Sequence, residues 1–188
     1  MPIVLASASP RRRELLEKAG LEFEIVISPA EEVHDASIQP ETLCEWNATL
    51  KAEAIAILRP DDTVIGADTL VFIDGEPLGK PADLAEARGM LRRLAGRTHR
   101  VCTGVCVVFP GGAKKTFHGT TDVTFLPLDE VAIDAYFALV NPLDKAGAYG
   151  IQEYGDRIIS AIRGSFDNVM GLPVDQVVEA LATPQLAR

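Results

Sequence analysis

The sequence predicts an α/β protein built on a mixed β-sheet flanked by helices, and three observations predict it. Apolar strand-like runs interleave with segments whose apolar residues recur at helical spacing, the pattern of strand–helix–strand units. Two hairpin-like turns, Asp74-Gly75 inside an apolar run and Pro110-Gly111-Gly112 between two long alternating segments, add antiparallel pairs to that sheet. Finally, 188 residues with 47% hydrophobic and 24% charged side chains suit one domain, or one domain with a lobe, that buries its own core.

The elements follow in order. Ile3-Val4-Leu5 is a strand, and Ser9 caps a helix whose first position is Pro10 and which stops at Gly20. Phe23, Ile25 and Ile27 alternate as a second strand, followed by a polar, acidic loop from Pro29 to Pro40. A helix then runs from near Pro40 to before Pro60, with Leu43, Trp46, Leu50, Ala54 and Ile57 on its apolar face and Lys51 beside that stripe. Thr63 to Ala67 reads as a buried strand ending in Asp68-Thr69, and Leu70 to Leu78 as a hairpin that leaves through Gly79-Lys80-Pro81. A third helix carries Leu84, Ala87, Leu91 and Leu94 and closes at Gly96. Val101, Thr103, Val105 and Val107 share one face of a long strand, and a second runs from about Lys115 to Phe125. Ile133, Phe137 and Val140 predict a helix from about Leu128; a loop from Asn141 to Gln152 and a strand around Arg157 to Ile162 follow. Gly164 to Pro173 is a loop entering the closing helix, and the last six residues are expected to fray.

Charge narrows the function classes. Eighteen Lys and Arg against 27 Asp and Glu leave a net charge of −9, which excludes a broad basic surface for a nucleic-acid polymer or an anionic membrane. Any polyanion must meet a local basic cluster. No leader-like pattern and no apolar run of about 18 residues occur. Cys44, Cys102 and Cys106 lack metal-ligand spacing and are odd in number, which fits a reducing, cytoplasmic setting. His34, His99 and His118 are too scattered for a metal site and receive no role.

The segment Ala6-Ser7-Ala8-Ser9-Pro10-Arg11-Arg12-Arg13 places the free N–H groups of a helix start beside three guanidinium groups, the outline of a polyphosphate cradle. A capped helix with a solvated basic turn is the plainer reading. Asp68 stands at the carboxyl end of a buried strand, where α/β folds place ligands, as a base or metal ligand or else a turn former. Glu31 and Glu32 lie in the acidic loop, and a second carboxylate joining Asp68 would supply what a divalent cation needs. Lys51 borders the core, and Lys80 is held between Gly79 and Pro81. Asp144 to Gln152 mixes small residues with an aromatic and a carboxamide, a loop able to pack on a flat base, and Gln152 offers both a donor and an acceptor.

Together these pieces resemble the Maf family of nucleoside triphosphate pyrophosphatases, historically described as septum formation inhibitors. The resemblance spans nearly the whole chain: Ala6-Ser7-Ala8-Ser9-Pro10-Arg11-Arg12, Lys51, Gly66-Ala67-Asp68-Thr69, Gly79-Lys80-Pro81, Asp144-Lys145-Ala146-Gly147, and Asn168-Val169 with Gly171-Leu172-Pro173. It implies one domain over residues 1–188, an elongated α/β fold similar to inosine triphosphate pyrophosphatases, with two lobes around a central cleft. It also implies hydrolysis between the α and β phosphates, dependent on magnesium or manganese, giving a nucleoside monophosphate and pyrophosphate. Asp68 would act as base or metal ligand with Glu32 completing the metal environment; Arg12, Arg13, Lys51 and Lys80 would hold the triphosphate, and Ser7 and Ser9 would shape the turn. Tyr149-Gly150-Ile151-Gln152 looks like the dTTP and UTP branch, and Arg11, Thr69 and Gln152 match positions that mark pyrimidine specificity there. Glu153 stands where that branch often has glycine. The readings competing with a dTTP/UTP pyrophosphatase are one for other or modified nucleotides, such as 7-methyl-GTP or CTP, and a non-catalytic nucleotide-binding regulator of septum formation. Family members are often homodimers, and no stripe in the sequence marks an interface.

Overall fold

The computed structural model describes residues 2–182, so the expected fraying of the last six residues lies outside the described residues. Its sheet has seven strands: β1 (Ile3–Leu5), β2 (Glu24–Ile25), β3 (Thr63–Ile73), β4 (Glu76–Leu78), β5 (Thr98–Val108), β6 (Lys114–Phe125) and β7 (Ile159–Arg163). They lie in the order β2-β1-β3-β5-β6-β7, with β4 paired to β3. β1 is parallel to β2 and β3, setting Val4 opposite both Glu24 and Val64, while β3–β4 and β6–β7 are antiparallel. The helices are α1 (Pro10–Lys18), α2 (Pro40–Ala56), α3 (Leu84–Leu94), α4 (Glu130–Phe137), α5 (Phe166–Met170) and α6 (Val174–Ala182). The mixed sheet with helices is thus the predicted class. The described residues form two compact units, one from 2–69, 103–119 and 171–182, the other from 70–102 and 120–170.

In the first unit the start of α1 is as expected: Pro10 opens the helix and the Ser9 hydroxyl accepts the Arg12 N–H at 3.5 Å. The second strand is shorter than its alternation predicts. It stops at Ile25 because its partner β1 ends at Leu5, and Ile25 and Ile27 are left exposed. β3 is longer than expected and runs through Asp68 to Ile73, so Asp68 lies in mid-strand rather than at a strand end.

The apolar face assigned to α2 is also corrected. Leu43, Cys44, Asn47, Ala48, Ala52 and Ile55 are its buried residues, whereas Trp46 is 48% exposed and Ile57 80%. Backbone contact decides the rotation. A Cβ on Gly66 would stand 2.3 Å from the Ala48 carbonyl oxygen, and one on Gly104 would stand 2.2 Å from the Cys44 carbonyl carbon. Two strands lacking side chains at these points let the helix lie directly on the sheet, which only its small-residue face can do. Val4, Ala6, Ala48, Ala52, Ile55, Val64, Cys106 and Val108 close this core. The same rotation brings Asn47 and Lys51 round to β3.

In the second unit, Asp74 (φ 57°) and Gly75 (φ 79°) both adopt the left-handed conformation that a two-residue hairpin turn requires. Asp83 and Asp129 cap α3 and α4, accepting the Glu86 and Ala132 N–H groups at 2.8 Å each; α4 therefore begins at Glu130, two residues after the expected Leu128. The predicted loops contain short helical pieces, a 3-10 turn at Ala146–Ala148 and α5 within the segment expected as a loop before Pro173, while a second 3-10 turn at Gly155–Arg157 takes the place of the expected strand start at Arg157, so that β7 begins at Ile159. The Ser165 hydroxyl caps α5 by accepting the Asn168 N–H at 3.2 Å. The core gathers Leu91, Leu94, Val123, Phe125, Ile133, Tyr136 and Tyr149.

His99, without a role in the sequence, is buried edge-on against Phe125 and Tyr149, with ring centroids 5.0 and 5.4 Å away and its Nε2 2.7 Å from the Tyr149 hydroxyl. Burial pushes its pKa down from 6.5 to about 4, against a weaker opposing pull from Asp122. Unfolded chains bind a proton here below about pH 6.5 and the folded protein does not, so stability is lost as pH falls toward 4. The loss attributable to this one group is about 2 to 3 kcal/mol by about pH 4.5. Urea unfolding at about pH 7 and about pH 4.5 should show a smaller drop for His99→Phe than for the wild type; equal drops would remove His99 from the account.

Candidate active site

Two polar networks occupy the first unit. In one, the buried Arg12 guanidinium donates from Nε to the Gly171 carbonyl oxygen (2.8 Å), from Nη1 to Ser7 Oγ (3.1 Å) and from Nη2 to Thr69 Oγ1 (3.0 Å). Ser7 Oγ also accepts the Ser9 N–H at 3.2 Å, and Thr69 Oγ1 lies 3.0 Å from Thr103 Oγ1. Desolvation draws the Arg12 pKa below the ordinary arginine value, and the fields of Asp68 and Glu32 pull the other way. Three donors hold the fork in place, and two of the five that a guanidinium carries remain for an anion.

The second network centres on Asp68, which is 4% exposed. Its Oδ1 accepts from Lys51 Nζ at 2.8 Å and its Oδ2 from Asn47 Nδ2 at 3.0 Å. Lys51 Nζ also donates to Glu32 Oε1 at 2.6 Å. A carboxylate in mid-strand is tolerated because both its oxygens are paired. Asn47 pins the acidic loop as well: its Oδ1 accepts the Val33 N–H at 2.8 Å, and its Nδ2 donates to the Val33 carbonyl at 3.1 Å. That clamp fixes the residue next to Glu32.

Ser7, Arg12 and Thr69 therefore meet in one network, and Glu32, Lys51 and Asp68 in the other. Ser9 caps α1, Arg11 is half-buried, and Arg13 does not join: its Nε lies 3.6 Å from Glu17 Oε1, with both side chains more than half exposed. Lys80 and Gln152 belong to the second unit and are exposed there, with Gln152 Nε2 donating to Glu153 Oε1 at 3.3 Å. Asn47 was missed in the sequence. Its signal is the spacing, four residues before Lys51 and so on the same helix face, among the small residues Cys44, Ala48 and Ala52.

Among the described residues no group of three or more His, Cys, Asp and Glu side chains converges as a metal cage. Asp68 and Glu32 nevertheless aim hard carboxylate oxygens at one shared cationic group, the Lys51 ammonium. One or two carboxylates, with water and phosphate oxygens, are the donor set magnesium takes. The donor chemistry fits.

The family profile described as Maf-like protein matches residues 2–183. The chain belongs to the Maf family. The resemblance carried by the sequence motifs is borne out. Curated Maf relatives named "dTTP/UTP pyrophosphatase" include one from Akkermansia muciniphila, 55% identical over 96% of this chain and 95% of its own length. Others come from Bacillus velezensis, at 48% identity over 95% of this chain and 94% of that one, and Nitratidesulfovibrio vulgaris, at 46% over 96% and 86%. Among solved structures, the Staphylococcus aureus Ham1 protein superposes with a TM-score of 0.57 at 18% identity, covering 97% of this chain and 98% of that one. A HAM1 protein from Coxiella burnetii gives 0.53 at 16% identity, with coverage of 97% and 98%. At such identities the likeness speaks for the fold, and it agrees with the inosine triphosphate pyrophosphatase-like architecture expected of the Maf chain. No helix among the described residues is long and apolar enough to cross a membrane.

Proposed function

We propose that this chain hydrolyses dTTP and UTP to the nucleoside monophosphate and pyrophosphate. The observation that carries the chemistry is the buried Asp68 carboxylate held by Lys51 and Asn47, in a chain whose curated relatives are named for this reaction. Water attacks the α-phosphorus and the bond to the bridging oxygen breaks, so negative charge grows on the departing pyrophosphate. Asp68 orients the water and takes its proton. Arg12, through its two remaining donors, and Lys51 offset charge on phosphate oxygens from positions already fixed by hydrogen bonds, where preorganised donors are most effective. Ser7 and Thr69 hold the Arg12 fork in register. Lys80, exposed between Gly79 and Pro81, is a further candidate cation for phosphate.

Asp68 and Glu32 are the residues that would hold a divalent cation, magnesium or manganese; bound there, it neutralises phosphate charge and makes a coordinated water more acidic. Gln152 reads the base, its amide offering one donor and one acceptor to the O4 and N3–H of thymine or uracil. Gln152→Ala should raise KM for dTTP and UTP by about tenfold while changing KM for purine triphosphates little, the loss expected for one base-edge contact. An equal change on every base would reject Gln152 as the reader.

The test of the activity is pyrophosphate release across a panel of nucleoside triphosphates, with and without magnesium or manganese. The expected outcome is fastest turnover of dTTP and UTP with metal present. No turnover of any triphosphate would favour a nucleotide-binding regulator, and a higher kcat/KM for 7-methyl-GTP or CTP would shift the substrate to those nucleotides.

A further inference from the structure

Glu153 sits at the end of a chain of contacts that leads from the protein interior to Gln152. The Lys145 side chain is 4% exposed, and its ammonium donates to the Asn141 carbonyl oxygen and to Asp144 Oδ1, both at 2.8 Å, and lies 3.1 Å from Glu153 Oε2. Two hydrogen bonds and the ion pair to Glu153 surround the ammonium and fix it in place. Glu153 Oε1 then accepts the Gln152 amide N–H at 3.3 Å. Gly150 leaves the room this requires: a Cβ there would stand 2.9 Å from Lys145 Cε and 3.5 Å from Gln152 Oε1. The loop itself is braced, since the Tyr136 hydroxyl accepts the Gly150 N–H at 3.1 Å and Tyr149 is held by His99.

A free carboxamide can rotate by half a turn and exchange its donor and acceptor faces at little cost. Uracil and thymine present an acceptor at C4 and a donor at N3; cytosine presents a donor and an acceptor at the same two places. In any one pose of the ring, a freely turning Gln152 satisfies both patterns, one with each flip. A carboxylate only accepts, so beside Glu153 the amide nitrogen is held and the flipped state sets oxygen against oxygen. We propose that the Lys145–Glu153 pair locks the Gln152 carboxamide in one flip and thereby rejects cytosine nucleotides. This rests on the reading of Gln152 as the base reader. Glu153 and Lys145 are positioning residues; they act on the base only through Gln152.

The experiment compares kcat/KM for UTP, CTP and GTP in the wild type, Glu153→Gln, Glu153→Gly and Gln152→Ala, with metal present. A glutamine at position 153 donates as well as accepts and supports both flips, and glycine supports neither. Both variants should therefore lower the UTP-to-CTP ratio at least tenfold, chiefly by lowering KM for CTP, whereas a purely structural role would move both nucleotides together. If both variants keep the wild-type ratio while Gln152→Ala collapses it, the reader stands and the lock is wrong. If Gln152→Ala lowers all three nucleotides by one common factor, the reader fails and the lock fails with it. A wild type that does not distinguish UTP from CTP also overturns the proposal.

Discussion

Asp68→Asn should lower kcat for dTTP by about a thousandfold, within the range general-base catalysis supplies, because it removes the proton acceptor while keeping the shape. The substitution also strains the network in a readable way. Asn47 is committed through both amide atoms to Val33, so it cannot turn to present an acceptor, and one orientation of the introduced amide would face it donor to donor. The other orientation sets the introduced NH2 group against the Lys51 ammonium. Either arrangement leaves a buried donor unsatisfied and costs about 1 to 3 kcal/mol, visible as a lower urea midpoint. Activity measured well below that midpoint separates the two effects: the rate loss should persist in protein that is fully folded. Folded Asp68→Asn with a wild-type rate would remove Asp68 from the chemistry.

The second large effect concerns two neighbouring arginines. Arg12→Lys should lower kcat/KM by about a hundredfold, since an ammonium cannot serve three fixed acceptors and also present a fork to phosphate oxygens. It should also destabilise the fold by about 2 to 4 kcal/mol, because the Gly171 carbonyl and the Ser7 and Thr69 hydroxyls lose a buried donor. Arg13→Lys should do little in either measurement. Its partner Glu17 lies 3.6 Å away at the surface, where such pairs contribute about 1 kcal/mol or less. Comparable losses for both variants would show that the α1 basic turn acts as a diffuse cationic patch, contrary to a single built-in fork.

These two outcomes mark how far the site was legible from the residues. The interleaving of strand and helix periods, the Ser9 cap and the Asp74-Gly75 turn are local signals, and each reappears in the structure. Ser7, Arg12, Glu32, Lys51 and Asp68 stand out as polar residues in special settings, and Thr69 only through the family resemblance. Their partnerships do not. The rotation of α2 is decided by Gly66 and Gly104, far along the chain, whereas an apolar stripe weighs the size of Trp46 and Ile57, so Asn47 was hidden behind the wrong face. Asp68 read as a strand end because an unpaired carboxylate does not belong inside a strand; its pairing with Lys51 and Asn47 removes that objection. Arg12 and Arg13 are adjacent and chemically alike, and only the position of Gly171 and Thr69 distinguishes the buried one. The five residues of α5 are too few to show a helical period. His99 had no partner in sequence because Tyr149 lies fifty residues away.

The most direct test of the central claim is the position of isotope after hydrolysis of dTTP in water enriched in oxygen-18, with magnesium present. Attack at the α-phosphorus, with Asp68 taking the proton and pyrophosphate leaving, puts the label in dTMP and none in pyrophosphate. Label in pyrophosphate, release of dTDP and inorganic phosphate, or no turnover at all would contradict it.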